Sequence, residues 1–349
     1  RISTRAIRQP VSALDNLLQA ADELAYQKGQ SVLGMFERWV GPDKFRQGVL
    51  DYLEAHKWGN AVGADLWSAL SKASGKDVSA AMGTFLDQGG LPVIEVELLS
   101  DGKVTLTQKR FLSYGVTAAE TQNWHVPVGL KYSDGATTRT QYVLLSGADT
   151  SVTLEGGKTP VWIHPNADES GYYRSRLAAP LMLRLAEDAT SVMTPRERVG
   201  YLGNVTALLQ SGLVHGDDYL NILNRFATDP TPEVISAVLD GTELARFAFI
   251  QPETADLYAR YLRRALGPTL ERIGLARRTG EAEGVTLVRP GLIRTLGDEG
   301  KDSRILDYCD SLAKAYLEDP ASIDPSLSSA AIDLSAIRGD LALYEVYKK

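Results

Sequence analysis

Through the first 90 residues, apolar positions recur at helical spacing. In residues 27–40, Val32, Leu33, Phe36, Trp39 and Val40 fall at i, i+1, i+4, i+7 and i+8, the stripe of an amphipathic helix. Gly41 and Pro42 close that helix and open the next, whose apolar face reads Phe45, Val49, Leu50 and Leu53. Two shorter helices follow. One buries Leu66, Trp67 and Leu70, the other Val78, Met82, Phe85 and Leu86, before the Gly89-Gly90 break.

The period changes from helical to alternating at "LPVIEVELLSDGKVTLTQKRF". There Val93, Glu95 and Glu97 share one side of a strand, and Ile94, Val96 and Leu98 the other. Asp101-Gly102 and Asp134-Gly135 read as hairpin turns, so residues 91–178 predict a small antiparallel β-sandwich. From residue 179 to the end, short amphipathic helices separated by Gly or Pro return. Stacked helix pairs of solenoid type are the natural packing, although no fixed sequence period is present. The pattern therefore predicts a mainly α chain with a small β-sandwich, in three domains: 1–90, 91–178 and 179–349.

Charge narrows the partners. The 349-residue chain carries a formal net charge of −7, which argues against a face that tracks nucleic-acid phosphates. The acidity is concentrated in residues 177–349, with 19 basic against 25 acidic residues. Such a tail favours cationic peptides. No run reaches the roughly 18 apolar residues of a membrane span, and no signal-peptide pattern opens the chain. The start at Arg1 rather than Met predicts a piece of something longer. Cys309 is the lone cysteine, in an apolar helical pattern that predicts a buried, inert thiol. That fits a reducing, cytoplasmic compartment.

Candidate chemistry is sparse. His56, His125, His164 and His215 are the four histidines, no two within a helical turn or two of each other. With no H-E-x-x-H and no C-x-x-C, the chain supplies no local zinc-ligand pair, and each histidine reads as a surface or loop residue. A Gly-rich phosphate loop and a G-x-S-x-G elbow are missing too. The triplet Asn204-Val205-Thr206 lies within a predicted helix, where chance explains it better than glycosylation. Asp217-Asp218 reads as helix N-terminal capping. Tyr26 remains, and the pattern alone favours a core tyrosine over a reactive one.

The stretch "AYQKGQSVLGMF…FRQGVLDYLEAHKWGNAVGADLWSAL" resembles the end of the catalytic domain of zinc aminopeptidases of the aminopeptidase N family, the gluzincin metallopeptidases. The matching residues, in order, are Tyr26, Lys28, Gly29, Phe45, Gly48, Tyr52, Leu53, Trp58, Asn60, Asp65, Leu66 and Trp67. "NWHVPV" and "VWIHPNADESGYYRSRL" resemble strands of the family's β-sandwich, and the helical tail resembles its C-terminal domain. The opening "STRAIRQPV" resembles a segment shortly after the zinc site. Departures are Gln27 and Gln30 beside the Tyr-x-Lys-Gly motif, and the residues following Arg174.

The resemblance implies the end of a thermolysin-like catalytic domain at 1–90, a β-sandwich at 91–178 and a HEAT-like α-helical repeat domain at 179–349, which closes over the active site like a bowl. It implies a Zn2+ enzyme acting on peptide substrates. The zinc and exopeptidase motifs would belong to a missing N-terminal catalytic portion, leaving this chain inactive alone. Tyr26 would be the catalytic residue that donates a hydrogen bond to the oxyanion, a task suited to a hydroxyl that stays a neutral donor at pH 7. Gly29 would allow close helix approach, and Lys28 would be a solvated or paired charge. The alternative is a non-catalytic protein-interaction scaffold derived from the same family.

Overall fold

The computed structural model describes residues 5–8, 23–118 and 121–348; of the opening stretch at 3–11, all but residues 5–8 lie outside the described residues. Two compact units divide the chain: Arg1–Leu185 with Asn204–His215, and Ala186–Gly203 with Gly216–Lys349.

Among the described residues, the first unit has four helices ahead of its strands, α1 Glu23–Val40, α2 Pro42–His56, α3 Gly63–Ser74 and α4 Val78–Leu86. Val32, Phe36, Trp39 and Val40 of the predicted stripe are buried along α1, whereas Leu33 is half-buried and Met35, outside the stripe, is buried with them. Phe36 meets both Trp39 and Phe85 edge to face, an arrangement that aromatic quadrupoles favour. The predicted face of α2 does not hold: Leu50 and Leu53 are 42% and 55% exposed. The helix instead turns Gly48 toward α3, where an added Cβ would stand 2.8 Å from Leu70 Cδ2 and 3.0 Å from its Cα. Backbone proximity, which only glycine permits, sets the rotation of α2 in place of its leucines.

Seven strands follow: β1 Pro92–Leu98, β2 Lys103–Arg110, β3 Val126–Ser133, β4 Thr138–Leu145, β5 Asp149–Thr153, β6 Trp162–His164 and β7 Arg174–Arg176. They form a four-stranded sheet in the order β5-β2-β1-β7 and a three-stranded sheet in the order β4-β3-β6. The expected turn forms between β1 and β2, with Asp101 and Gly102 both at positive φ, as the tight hairpin requires. One pairing departs from the antiparallel expectation: β7 lies parallel to β1, Ile94 opposite Ser175. The long connection between those strands permits it. Gln108 is buried, and its amide joins strand to loop by bonding both the N–H and the carbonyl of Trp124 at 2.9 and 2.8 Å.

Helices continue with α5 Ala179–Glu187, α6 Ala189–Val192 and α7 Pro195–Gln210. The start of α7 belongs to the second unit and its end to the first. In the second unit, α8 Gly216–Phe226, α9 Pro232–Phe249, α10 Ala255–Ile273, α11 Glu283–Gly297, α12 Ser303–Glu318, α13 Ser328–Ile337 and α14 Leu341–Tyr347 follow. α8 packs on α9, both α9 and α10 on α11, and α12 on α13. A buried ion pair fixes the α8–α9 corner. Arg198 Nε lies 2.8 Å from Asp229 Oδ2, with the two side chains 6% and 1% exposed. The same guanidinium donates to Met193 O and Thr231 Oγ1, each at 2.8 Å.

Candidate functional site

Tyr26 stands two residues before Lys28 on α1, and on an α-helix that is about 200° around the axis. The two side chains therefore face opposite ways. Lys28 points inward with 3% exposure, in line with Val32, Met35 and Phe36; Tyr26 points outward and is 70% exposed. The reading of Tyr26 as a core tyrosine is thereby overturned, because the inward lysine spends that turn's buried face.

Lys28 is not the solvated or ion-paired charge the sequence suggested. Its ammonium donates to the carbonyl of Gln88 at 2.8 Å, just beyond α4. It also lies 5.8 Å from the ring centroid of Tyr172, whose N–H meets Met35 Sδ at 3.3 Å. Burial pushes its pKa down to about 8. Gly29, expected to permit a close approach, has no atom within 4 Å of where a Cβ would stand. At the other end of α1, Lys76 donates to Trp39 O and sits 4.8 Å over the Trp39 ring. An inward ammonium thus holds a carbonyl near each end of the helix.

The lowered pKa gives a stability signature with a definite sign. Unfolded, Lys28 keeps its proton up to the ordinary lysine pKa of 10.5, while folded it releases it near 8. The unfolded state binds more protons in that window, so this group makes stability rise with pH between about 8 and 10.5. The difference in unfolding free energy between wild type and Lys28→Met is expected to shift toward wild type as pH rises through the window. Chemical denaturation at pH 7, 8, 9 and 10 measures it; a flat difference would contradict the assignment.

The remaining candidates are structural. His164 departs from the expected surface or loop position: it is 2% exposed, within β6, its Nε2 3.2 Å from Glu169 Oε1. Among the described residues, no three His, Cys, Asp or Glu side chains converge as a metal requires. Asn204 is buried, and its amide accepts from Ser175 N at 3.0 Å and donates to Ser175 O at 2.7 Å, so both ends are engaged. Asp217 and Asp218 occupy the first turn of α8 as expected. Cys309 is buried, and desolvation pushes its thiol up to about 11. The lysine anchors went unforeseen; their one sequence signal is Lys28 inside the apolar 28, 32, 35, 36, 39 stripe.

On α1, then, Tyr26 faces outward and Lys28 inward, and the helices that follow lead into two sheets and a helical array. Residues 2–85 match the model of the "Peptidase family M1 domain", and residues 162–349 match that of the "ERAP1-like C-terminal domain". The chain belongs to this family and corresponds to the C-terminal portion of an aminopeptidase N family metallopeptidase. Aminopeptidase 2 of Candida albicans is 26% identical over 99% of this chain and 38% of its own length. The alanine/arginine aminopeptidase of Saccharomyces cerevisiae is 31% identical over 72% of this chain and 29% of its own length. For aminopeptidase N of Lactococcus lactis the values are 26%, 98% and 40%. The chain thus spans well under half the length of these relatives. No helix among the described residues is long and apolar enough to cross a membrane.

Proposed function

We propose that the protein containing this chain is a zinc-dependent aminopeptidase that removes N-terminal residues from peptides, in which Tyr26 stabilises the oxyanion. The observation that carries the reading is the 70% exposed phenol of Tyr26 on a helix whose opposite face is buried. Relatives named aminopeptidases add to it. Among the described residues none form a zinc-ligand set, so those residues do not fit the metal. Zinc binding belongs to residues outside them. What this chain contributes is a hydrogen-bond donor. A phenol fixed in place ahead of the reaction stabilises negative charge developing on a carbonyl oxygen without reorganising when it forms. The aryl body supplies rigidity, and the hydroxyl supplies the proton of the bond.

The reading extends to domain structure: residues 1–90 end a thermolysin-like catalytic domain, 91–178 form a β-sandwich and 179–349 form a HEAT-like domain. Its compartment is the cytoplasm. The test uses the full-length protein. It is expected to hold zinc in roughly equimolar amount and to cleave an aminoacyl p-nitroanilide but not its N-acetylated form. Chelation should abolish cleavage, and added zinc should restore it. A protein that binds no zinc and leaves the reporter intact would be a scaffold.

A further inference from the structure

The geometry points to Lys28 as the positioning residue for Tyr26: its buried ammonium, bonded to the Gln88 carbonyl beside the Tyr172 ring, sets the rotation of the helix that aims the phenol. The inference rests on the oxyanion role proposed for Tyr26. Of residues 25–31, Lys28 alone is buried, and the next buried side chain, Val32, lies one turn further on. Gly29 offers no side chain to the packing, and Ser31 Oγ turns back to donate to Gln27 O at 2.8 Å. Over residues 25–31 burial therefore rests on one long side chain.

Two segments converge on that side chain. Gln88 follows α4 and donates in turn to Thr84 O at 3.0 Å and Asn123 O at 2.9 Å, so the carbonyl accepting from Lys28 sits in a braced segment. Tyr172 comes from the segment preceding β7, and its ring meets Phe85 of α4 edge to face. The ammonium is thus held by a dipole and an aromatic face from parts of the chain far apart in sequence, neither of which moves with α1 alone. An apolar residue at position 28 would keep the burial but lose the directional bond to Gln88 O, and with it the angular restraint.

Small rotations matter here. Side chains stand about 5–6 Å from a helix axis, so a turn of about 10° moves an outward group by about 1 Å. A displacement of that size costs on the order of 100-fold in rate when the group must meet a reacting atom. Lys28 touches no substrate, and its effect is expected to pass wholly through Tyr26.

A double-mutant cycle in the full-length enzyme tests this. Lys28→Met is expected to lower kcat by about 10- to 100-fold with KM little changed, yet to lower it by under about twofold when Tyr26 is already Phe. Lys76→Met removes the same kind of bond at the far end of α1, and is expected to cost stability while leaving kcat within about twofold. Where Lys28→Met fails to fold, Tyr172→Leu replaces it, with a smaller fall that again vanishes beside Tyr26→Phe. Equal losses from the position 28 or 172 variant in both tyrosine backgrounds would overturn the inference and leave the oxyanion reading standing. A Lys76→Met loss as large as that of Lys28→Met would do the same. Unchanged kcat in Tyr26→Phe alone would remove the oxyanion reading and the inference with it.

Discussion

Tyr26→Phe in the full-length protein is expected to lower kcat by about 100- to 1000-fold while KM stays within about twofold. The substitution removes one oxygen and keeps the ring. Since the side chain is 70% exposed, no packing is lost and folding stability should be unchanged. Substrate in its ground state carries no oxyanion, so the missing donor is felt at the transition state and shows in kcat. Steady-state kinetics on an aminoacyl reporter, with a thermal melt of the same preparation, separates this from general damage. A mutant with wild-type kcat would make Tyr26 an ordinary surface residue.

The second large effect lies in the helical array. Asp229→Ala is expected to destabilise the second unit by about 3–5 kcal/mol, because it strands the guanidinium of Arg198 in a buried site. The backbone feels the loss as well, since Asp229 Oδ1 accepts from Thr231 N at 2.9 Å at the entry to α9. For a unit of this size the change corresponds to a fall in melting temperature of roughly 10 °C. Replacing both partners, as Arg198→Met with Asp229→Leu, removes two desolvated charges together and should recover most of the loss. Denaturant unfolding of the two variants beside wild type measures this. Equal destabilisation by the single and double variants would show that Thr231 and Met193, not the ion pair, hold the corner.

Much of this was legible in the sequence, for reasons that differ by element. The α1 stripe from Val32 to Val40 was readable because burial there follows hydrophobicity at a fixed period. Cys309 and the Asp101-Gly102 turn were readable because each obeys a local rule. The face of α2 was not, since Gly48 against Leu70 outweighs two leucines and close backbone approach leaves no mark in a hydropathy pattern. Nor was His164, whose burial depends on Glu169 reaching it from beyond the strand. For the candidate site, family resemblance singled out Tyr26, but periodicity assigned it to the wrong side of the helix. The deciding neighbour was Lys28, a residue that composition rules place in water and that finds its partner 60 positions away at Gln88.

Because α7 is shared, the two units cannot be parted by a single cut. A truncation at Leu185 would take Asn204 from both backbone groups of Ser175, and the Gln210 carbonyl from the amide of Tyr114, which it meets at 3.0 Å. Engineering the halves as independent proteins would call for a circular rearrangement or a grafted helix end.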